Sequence, residues 1–346
     1  YNIVTPLLMQ IWMALLKRRL GQIDVDFGSL DLMKDVGELD GLKPDQYAPS
    51  LHLAALHERY AALDPNTRAQ IEERGYAALG KVPGTDVLLR AVDQFLEQFG
   101  HLSDSGNDFS VVPWRETPDL VLDMAAAAGG TTEVVAGPVQ IGFDELNLSP
   151  VRRWSLRPLV CRARRFQLYR EAIGSLYTYG YGQFRDVFLA LGACFADRSI
   201  LQSPQDVFYL SLDEVRSVAS GEVVQDLQEK VERRKEELDR YRDIEPPEII
   251  YGDHPPDVRV SVSTELKGTP TSRGRYSGPV RVVRGIQDLP RVQEGDVLVI
   301  PYADVGWTPL FTRAGAVIAE SGGMLSHSSI IAREYGIPAV VSVANA

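Results

Sequence analysis

Residues 320–339 read Glu320-Ser-Gly-Gly-Met-Leu-Ser-His-Ser-Ser-Ile-Ile-Ala-Arg-Glu-Tyr-Gly-Ile-Pro-Ala339, and this stretch decides how the C-terminal part of the chain is built. A strand-like run, Gly315 to Ala319, leads into it. Gly322 and Gly323 then permit a tight turn and a close approach of backbone. A helix-like segment follows and stops before Gly336. The spacing predicts strand, glycine turn and helix in that order. Ser326 and Ser328 are the candidate caps, which places His327 in the first helical turn, beside N–H groups that have no intrahelical partner.

An imidazole in that position suits nucleophilic chemistry on phosphorus. The positive end of a helix disfavours imidazolium, so the ring stays neutral near pH 7 and keeps a lone pair for attack. The same N–H groups can hold phosphoryl oxygens. The macrodipole contributes about 0.3–1 kcal/mol. Hydrogen bonds to charged oxygens contribute about 1.5–3 kcal/mol each and therefore dominate the holding. Gly322, Gly323, Ser326, Ser328 and Arg333 are the expected phosphate-supporting residues around His327. Taken alone, a histidine after two glycines is also read as a cap or a core residue.

Working outward, short β-rich runs at Gly278–Val283, Asp296–Pro301, Gly315–Ala319 and Ala339–Ser342 predict a compact β/α domain over 258–346, cut short at its C-terminal end. Before it, Pro246, Pro247, Pro255 and Pro256 punctuate a polar segment that cannot be helical. Residues 244–257 are expected to be an extended hinge, reaching on the order of 40 Å at about 3.1 Å per residue. Residues 1–243 read as mainly α-helical. Leu88, Val92, Phe95 and Phe99 fall at i, i+4, i+7 and i+11, and similar patterns run through Leu51–Leu63, Thr67–Leu79, Pro118–Ala128 and Val160–Ala196. A β-like run, Glu133–Ile141, interrupts them. From Val224 a heptad-like seam, broken by Arg234, predicts a long amphipathic helix packed on its own chain. The fold class is thus a multi-domain α and α/β chain, a helical region followed by a β/α domain.

Composition narrows the function. The 346 residues carry 36 basic and 47 acidic side chains, a net charge of -11, which disfavours a nucleic-acid backbone as partner. Cys161 and Cys194 are too few and too far apart for a disulfide framework or a zinc site, so the cytoplasm is expected and no metal site is predicted. Ile3–Leu16 is apolar but holds Thr5, Pro6 and Gln10 and is shorter than a membrane span, so no membrane association is expected. The chain opens at Tyr1 without an initiator Met and stops soon after a strand-like run, the pattern of an excerpt.

The string Gly322 to Ala339 resembles the signature of the mobile domain of phosphoenolpyruvate-utilising enzymes, the phosphohistidine swivelling domain shared by pyruvate phosphate dikinase, phosphoenolpyruvate synthase and rifampicin phosphotransferase. Gly274–Val283, Gly295-Asp-Val-Leu-Val-Ile-Pro301 and Gly306-Trp-Thr-Pro-Leu-Phe311 extend the resemblance upstream in the same order. It implies that His327 accepts a phosphoryl group from ATP, with Mg2+, on an ATP-grasp domain or subunit outside this chain, and passes it on at a separate site. The dikinases have Thr two residues before the histidine where this chain has Leu325, so regulation by phosphorylation there is not expected.

The helical region is similar to the middle domain of rifampicin phosphotransferase-type proteins through Phe95-Leu-Glu-Gln-Phe-Gly-His101, Pro113-Trp-Arg-Glu116 and Asp206-Val-Phe-Tyr-Leu-Ser-Leu-Asp-Glu214. The resemblance implies a small-molecule acceptor bound there. His101 with Asp104 and Asp108 is the candidate acceptor cluster, since a hydroxyl nucleophile needs a base, or else a loop-stabilising network. Residues 100–108 depart from the Gly-His-Arg-Gly-Pro-Gly-Glu run of the rifampicin enzymes, which puts rifampicin itself in doubt as acceptor. Transfer to a hydroxyl is the first reading. The alternatives are a carboxylate-activating ligase of the same layout and a non-catalytic binding module.

Overall fold

The computed structural model describes residues 4–23, 30–34, 36–127, 141–222, 224–241, 266–324, 326–344 and 346. Its elements run α1 (Val4–Gly21), β1 (Leu30–Asp31), α2 (Pro49–Ala61), α3 (Pro65–Arg74), α4 (Asp86–Phe99), α5 (Pro118–Ala127), β2 (Ile141–Gly142), α6 (Pro150–Asp197), α7 (Leu212–Ala219) and α8 (Leu227–Tyr241). They continue with β3 (Thr269–Ser272), β4 (Val280–Val282), β5 (Asp296–Ile300), α9 (Thr308–Phe311), β6 (Ala314–Ala319), α10 (His327–Glu334) and β7 (Ala339–Val341). A mainly helical region thus precedes an α/β domain, the fold class expected from the sequence.

Packing divides the chain differently from composition. One compact unit joins Tyr1–Gly180 to Leu266–Ala346, and Tyr181–Glu265 forms the other. The cause is a shared core. Leu53, Phe95, Trp114 and Val121 of the helical part are buried in one continuous cluster with Ile286, Leu289, Trp307 and Phe311, so side chains on both sides of the boundaries at 243 and 258 leave water together. The expected hinge, 244–257, lies outside the described residues, as does His254. Most of the β-like run from Glu133 does too, and its last residue, Ile141, pairs with Leu30 in the parallel ladder of β1 and β2.

Within the first unit, α4 buries Leu88, Val92, Phe95 and Phe99, the face that the helical spacing marks. Phe95 stacks on Trp114, ring centroids 5.9 Å apart. His57 is tied to the α5 carbonyl of Ala125 at 2.9 Å, and His52 to that of Asp45 at 3.2 Å, so both histidines serve the packing of α2. In the second unit α8 buries Leu227 and Val231 with Phe195, Val207 and Val215. Arg234, which breaks the apolar seam, pairs with Glu214 at 2.6 Å and anchors the helix instead. Among the described residues no helix is long and apolar enough to cross a membrane.

The sheet has the order β3-β7-β6-β5-β4, with β4 to β7 parallel and β3 antiparallel to β7. β5 reads Asp-Val-Leu-Val-Ile and is buried at every residue, as expected of a parallel strand covered on both faces. β3, Thr-Pro-Thr-Ser, has no apolar alternation to announce it; its edge position tolerates Pro270. The crossover from β6 through α10 to β7 starts α10 at the carboxyl edge of the parallel strands, where open α/β sheets place ligands.

Leu298, fully buried in β5, and Val282, 55% exposed on edge strand β4, supply a test of this core. Leu298→Ala should cost about 2–5 kcal/mol, and Val282→Ala should stay within about 0.5 kcal/mol. Hydrogen exchange of the β5 and β6 amides across a urea series measures both. Equal costs would mean that the sheet is not covered as described.

Candidate functional site

The start of α10 is built by the residues around it. Gly322 has φ +117, a conformation that L side chains rarely adopt, and a Cβ there would press on Ser326 Oγ at 2.9 Å. Its carbonyl accepts from Ser342 Oγ at 2.6 Å. The Gly323 carbonyl accepts from the Ser326 amide at 2.9 Å and from Ser326 Oγ at 2.8 Å, and Ser329 Oγ lies 2.8 Å from it. Ser329 is fully buried and reaches Thr271 Oγ1 of β3 at 2.9 Å. Arg333 folds back from the far end of the helix, donating to the Met324 carbonyl at 2.8 Å and the Thr271 carbonyl at 3.2 Å. The turn is therefore pinned at its glycines, at its serines and at β3.

Two details differ from the sequence expectation. Ser326 holds the N-cap position in extended backbone but makes no side-chain cap bond, because its hydroxyl is turned to Gly323. Ser328 is buried, its Oγ 3.0 Å from Ser326 Oγ, and so belongs to the hydroxyl cluster under the turn rather than to a cap. His327 is the first residue of α10, and the cap residue leaves the leading N–H groups of the helix to other partners. Gly323 has open space where a side chain would stand.

The His327 ring is held at Nε2 by Thr308 Oγ1, 3.1 Å away. Thr308 is buried and also bonds the Val305 carbonyl at 2.7 Å. Desolvation lowers the ring's pKa, the carboxylates of Glu171 and Asp304 oppose that shift, and Arg170 adds to it. Arg170 and Glu171 are themselves an ion pair on α6. The site thus gathers a neutral imidazole, a hydroxyl that sets its direction, two carboxylates and one guanidinium, drawn from α10, the start of α9 and the turn before it, and α6.

The helical region meets this turn through the loop after α4. Asp104 Oδ1 accepts from the Ile286 amide at 3.1 Å, and the Trp307 indole donates to the Asp104 carbonyl at 3.1 Å. Burial raises the Asp104 pKa, and Asp288 adds to the rise. His101 is lowered to about 4 by burial and by the Arg115 charge; its Nε2 is buried with no hydrogen-bond partner among the described residues. Its ring is edge-on to Tyr179 at 5.5 Å. Asp108 accepts from the Ser110 amide at 2.8 Å and from Ser110 Oγ at 2.6 Å, holding its own turn. Asp104 and Asp108 both raise the pKa of Tyr302, whose shift comes first from burial and which Asp304 raises too. The three candidate residues therefore lie on one loop with distinct attachments. Thr308, Asp304, Arg170, Glu171 and Ser329 were not singled out by the sequence reading. Thr308 stood inside the Gly306–Phe311 run, whereas Arg170 and Glu171 sit in a long charged helix with no local signal.

Comparison with known proteins places the stretch that contains His327 within a family. Residues 292–346 match the family model of the PEP-utilising enzyme, mobile domain. The chain is 25% identical over 289 residues to a rifampicin phosphotransferase of Bacillus cereus, covering 76% of this chain and 32% of the relative. It is 27% identical over 295 residues to a rifampicin phosphotransferase of Streptomyces sviceus, covering 78% and 33%. A chondramide synthase of Chondromyces crocatus is 32% identical over 303 residues, covering 75% of this chain and 8% of that protein. The chain spans about a third of the length of the rifampicin phosphotransferases it matches.

The desolvated ring gives a direct prediction. Followed by its ring-proton resonances, His327 should titrate below the ordinary 6.5. A histidine whose folded pKa is depressed contributes stability that is complete above its unfolded pKa and declines as pH falls below it. The His327→Gln protein should therefore lose less stability than the parent as pH drops beneath 6.5. A ring that titrates at or above that value would contradict the enclosure described.

Proposed function

With residues 292–346 carrying the mobile domain of PEP-utilising enzymes, we propose that this chain is the phosphocarrier and acceptor-binding portion of a phosphotransferase in which His327 is transiently phosphorylated. The observation that carries the reading is His327 at the head of α10, desolvated, beside amides that Ser326 does not cap. A phosphohistidine domain and relatives that are phosphotransferases support the reaction class.

In the first half-reaction a ring nitrogen forms an N–P bond as a phosphoanhydride P–O bond of ATP breaks, leaving the nucleotide with the electron pair. ATP and Mg2+ are held by an ATP-grasp region outside this chain, where the metal neutralises the phosphate charge. In the second, an acceptor hydroxyl oxygen bonds phosphorus as N–P breaks, and the ring regains its lone pair. The hydroxyl proton passes to a carboxylate, and Glu171 and Asp304 are the two that act on the ring's charge. Thr308 keeps the imidazole aimed during both steps, and Arg170 offsets the charge of the moving group. The acceptor is a small organic hydroxyl compound bound on the helical region, with His101, Asp104 and Asp108 on its approach loop. The protein works in the cytoplasm on this reading.

The test uses the whole protein with labelled ATP. The chain should take up an acid-labile, base-stable label that disappears in His327→Ala and passes to the acceptor in the parent. Label retained by His327→Ala at the normal rate would remove His327 from the role. An acyl phosphate on a carboxylate acceptor, trapped by hydroxylamine, would replace the hydroxyl reading by the ligase one.

A further inference from the structure

The turn that leads into Thr308 carries a seam of contacts to the loop Ser103–Gly106. Asp104 accepts from the Ile286 amide at 3.1 Å, the Trp307 indole donates to the Asp104 carbonyl at 3.1 Å, and the Gly106 amide donates to Asp304 Oδ2 at 2.9 Å. The exchange is reciprocal, for each side offers a carboxylate to a backbone N–H of the other. At its centre the backbones touch. A Cβ at Gly306 would fall well inside van der Waals contact distance of the Ser103 carbonyl oxygen, 3.0 Å from its carbon and 3.7 Å from the Asp104 nitrogen.

Those three nearest atoms all belong to the loop, and Gly306 does not lie in the left-handed region. An alanine there would thus be compatible with the α/β domain's own fold and incompatible with the loop pressed against it. Gly285 is similar but softer. Its Cβ would meet Asp104 Oδ2 at 2.6 Å, an atom at the end of a side chain that can turn away, and the Gln287 amide group. Gly106 answers from the other side, where a Cβ would meet Thr178 Cγ2 at 2.7 Å and Asp304 Oδ2 at 3.0 Å.

We propose that this seam is a docking latch through which the α/β domain presents His327 to the helical region, with Gly306 admitting the loop and Asp104 recognising the face. Gly306 and Asp104 are positioning residues. They act on the ring through neighbours, since Trp307 bonds the loop while Thr308, next in sequence, bonds His327 Nε2. A part in phosphoryl delivery rests on the phosphocarrier reading; the latch itself does not.

Hydrogen exchange on the full chain separates the two. In Gly306→Ala no group of the three bonds is removed, and in Asp104→Ala the Asp304 acceptor of the Gly106 amide is untouched. The Gly106 amide should nonetheless exchange about ten-fold faster or more in each variant as the seam opens. The Val317 amide, bonded to the Pro338 carbonyl inside the α/β domain, should exchange at the parental rate. His327 should also take phosphate from potassium phosphoramidate faster in both variants, read by 31P NMR. Parental exchange at Gly106 in both variants would overturn the latch, and so would faster exchange at Val317 in Gly306→Ala, which would assign Gly306 to the domain's own fold. A His327 inert to phosphoramidate in forms whose Gly106 exchanges fast would overturn the phosphocarrier reading and leave the latch standing.

Discussion

On the phosphocarrier reading an imidazole must be neutral and aimed at once, and the residues around the start of α10 bear on both demands. Desolvation of the half-buried ring lowers its pKa, against the opposing pull of Glu171 and Asp304. Aim comes from one buried hydroxyl, Thr308, held in turn by the Val305 carbonyl. Neither would persist on a loose turn. The Gly323 carbonyl, the buried Ser329 and the folded-back Arg333 tie the turn to β3, so that an edge strand with no apolar alternation supports the turn before His327.

The same site shows why the helical region is more than a neighbour. Of the groups that set the ring's electrostatics, Glu171 and Arg170 come from α6, and Asp304 comes from the turn that bonds the Gly106 amide. The ring's environment is complete only when loop, α6 and α/β domain are assembled. The shared cluster of Trp114, Val121, Ile286 and Trp307 supplies the apolar part of that assembly, and the hydrogen bonds at Asp104 and Asp304 set its register.

Much of this was readable in the residues. The strand, glycine turn and helix of 315–336 follow from local rules, because Gly322 needs its left-handed φ and the apolar period of α10 is short but clean. The face of α4 is equally plain. What the sequence hid is tertiary. Prolines at 246–256 mark a change of composition, but which helices share a core with the sheet depends on packing across some two hundred residues. β3 was missed because Thr-Pro-Thr-Ser satisfies its hydrogen bonds without an apolar face. Ser326 was expected to cap because serine usually does, and the carbonyl of Gly323 competes for the same hydroxyl. Thr308 and Glu171 carry no local mark of function, for their meaning lies in which ring they face.

Charge links the assembled site to its load. A phosphoryl group on His327 brings negative charge to a ring that already feels two carboxylates, from Glu171 and Asp304, against the one guanidinium of Arg170. On the phosphocarrier reading, Glu171 and Asp304 oppose the loaded ring, while Arg170 and the amides left uncapped by Ser326 favour it. Linkage makes the relation reciprocal: whatever free energy the phosphoryl group subtracts from docking, docking adds to the tendency of the group to leave. An acceptor hydroxyl that takes the group carries the charge away and leaves a neutral imidazole, which is the form that desolvation favours. On the phosphocarrier reading, delivery is then a balance between the uncapped amides and Arg170, which hold the group, and Glu171 and Asp304, which favour its departure.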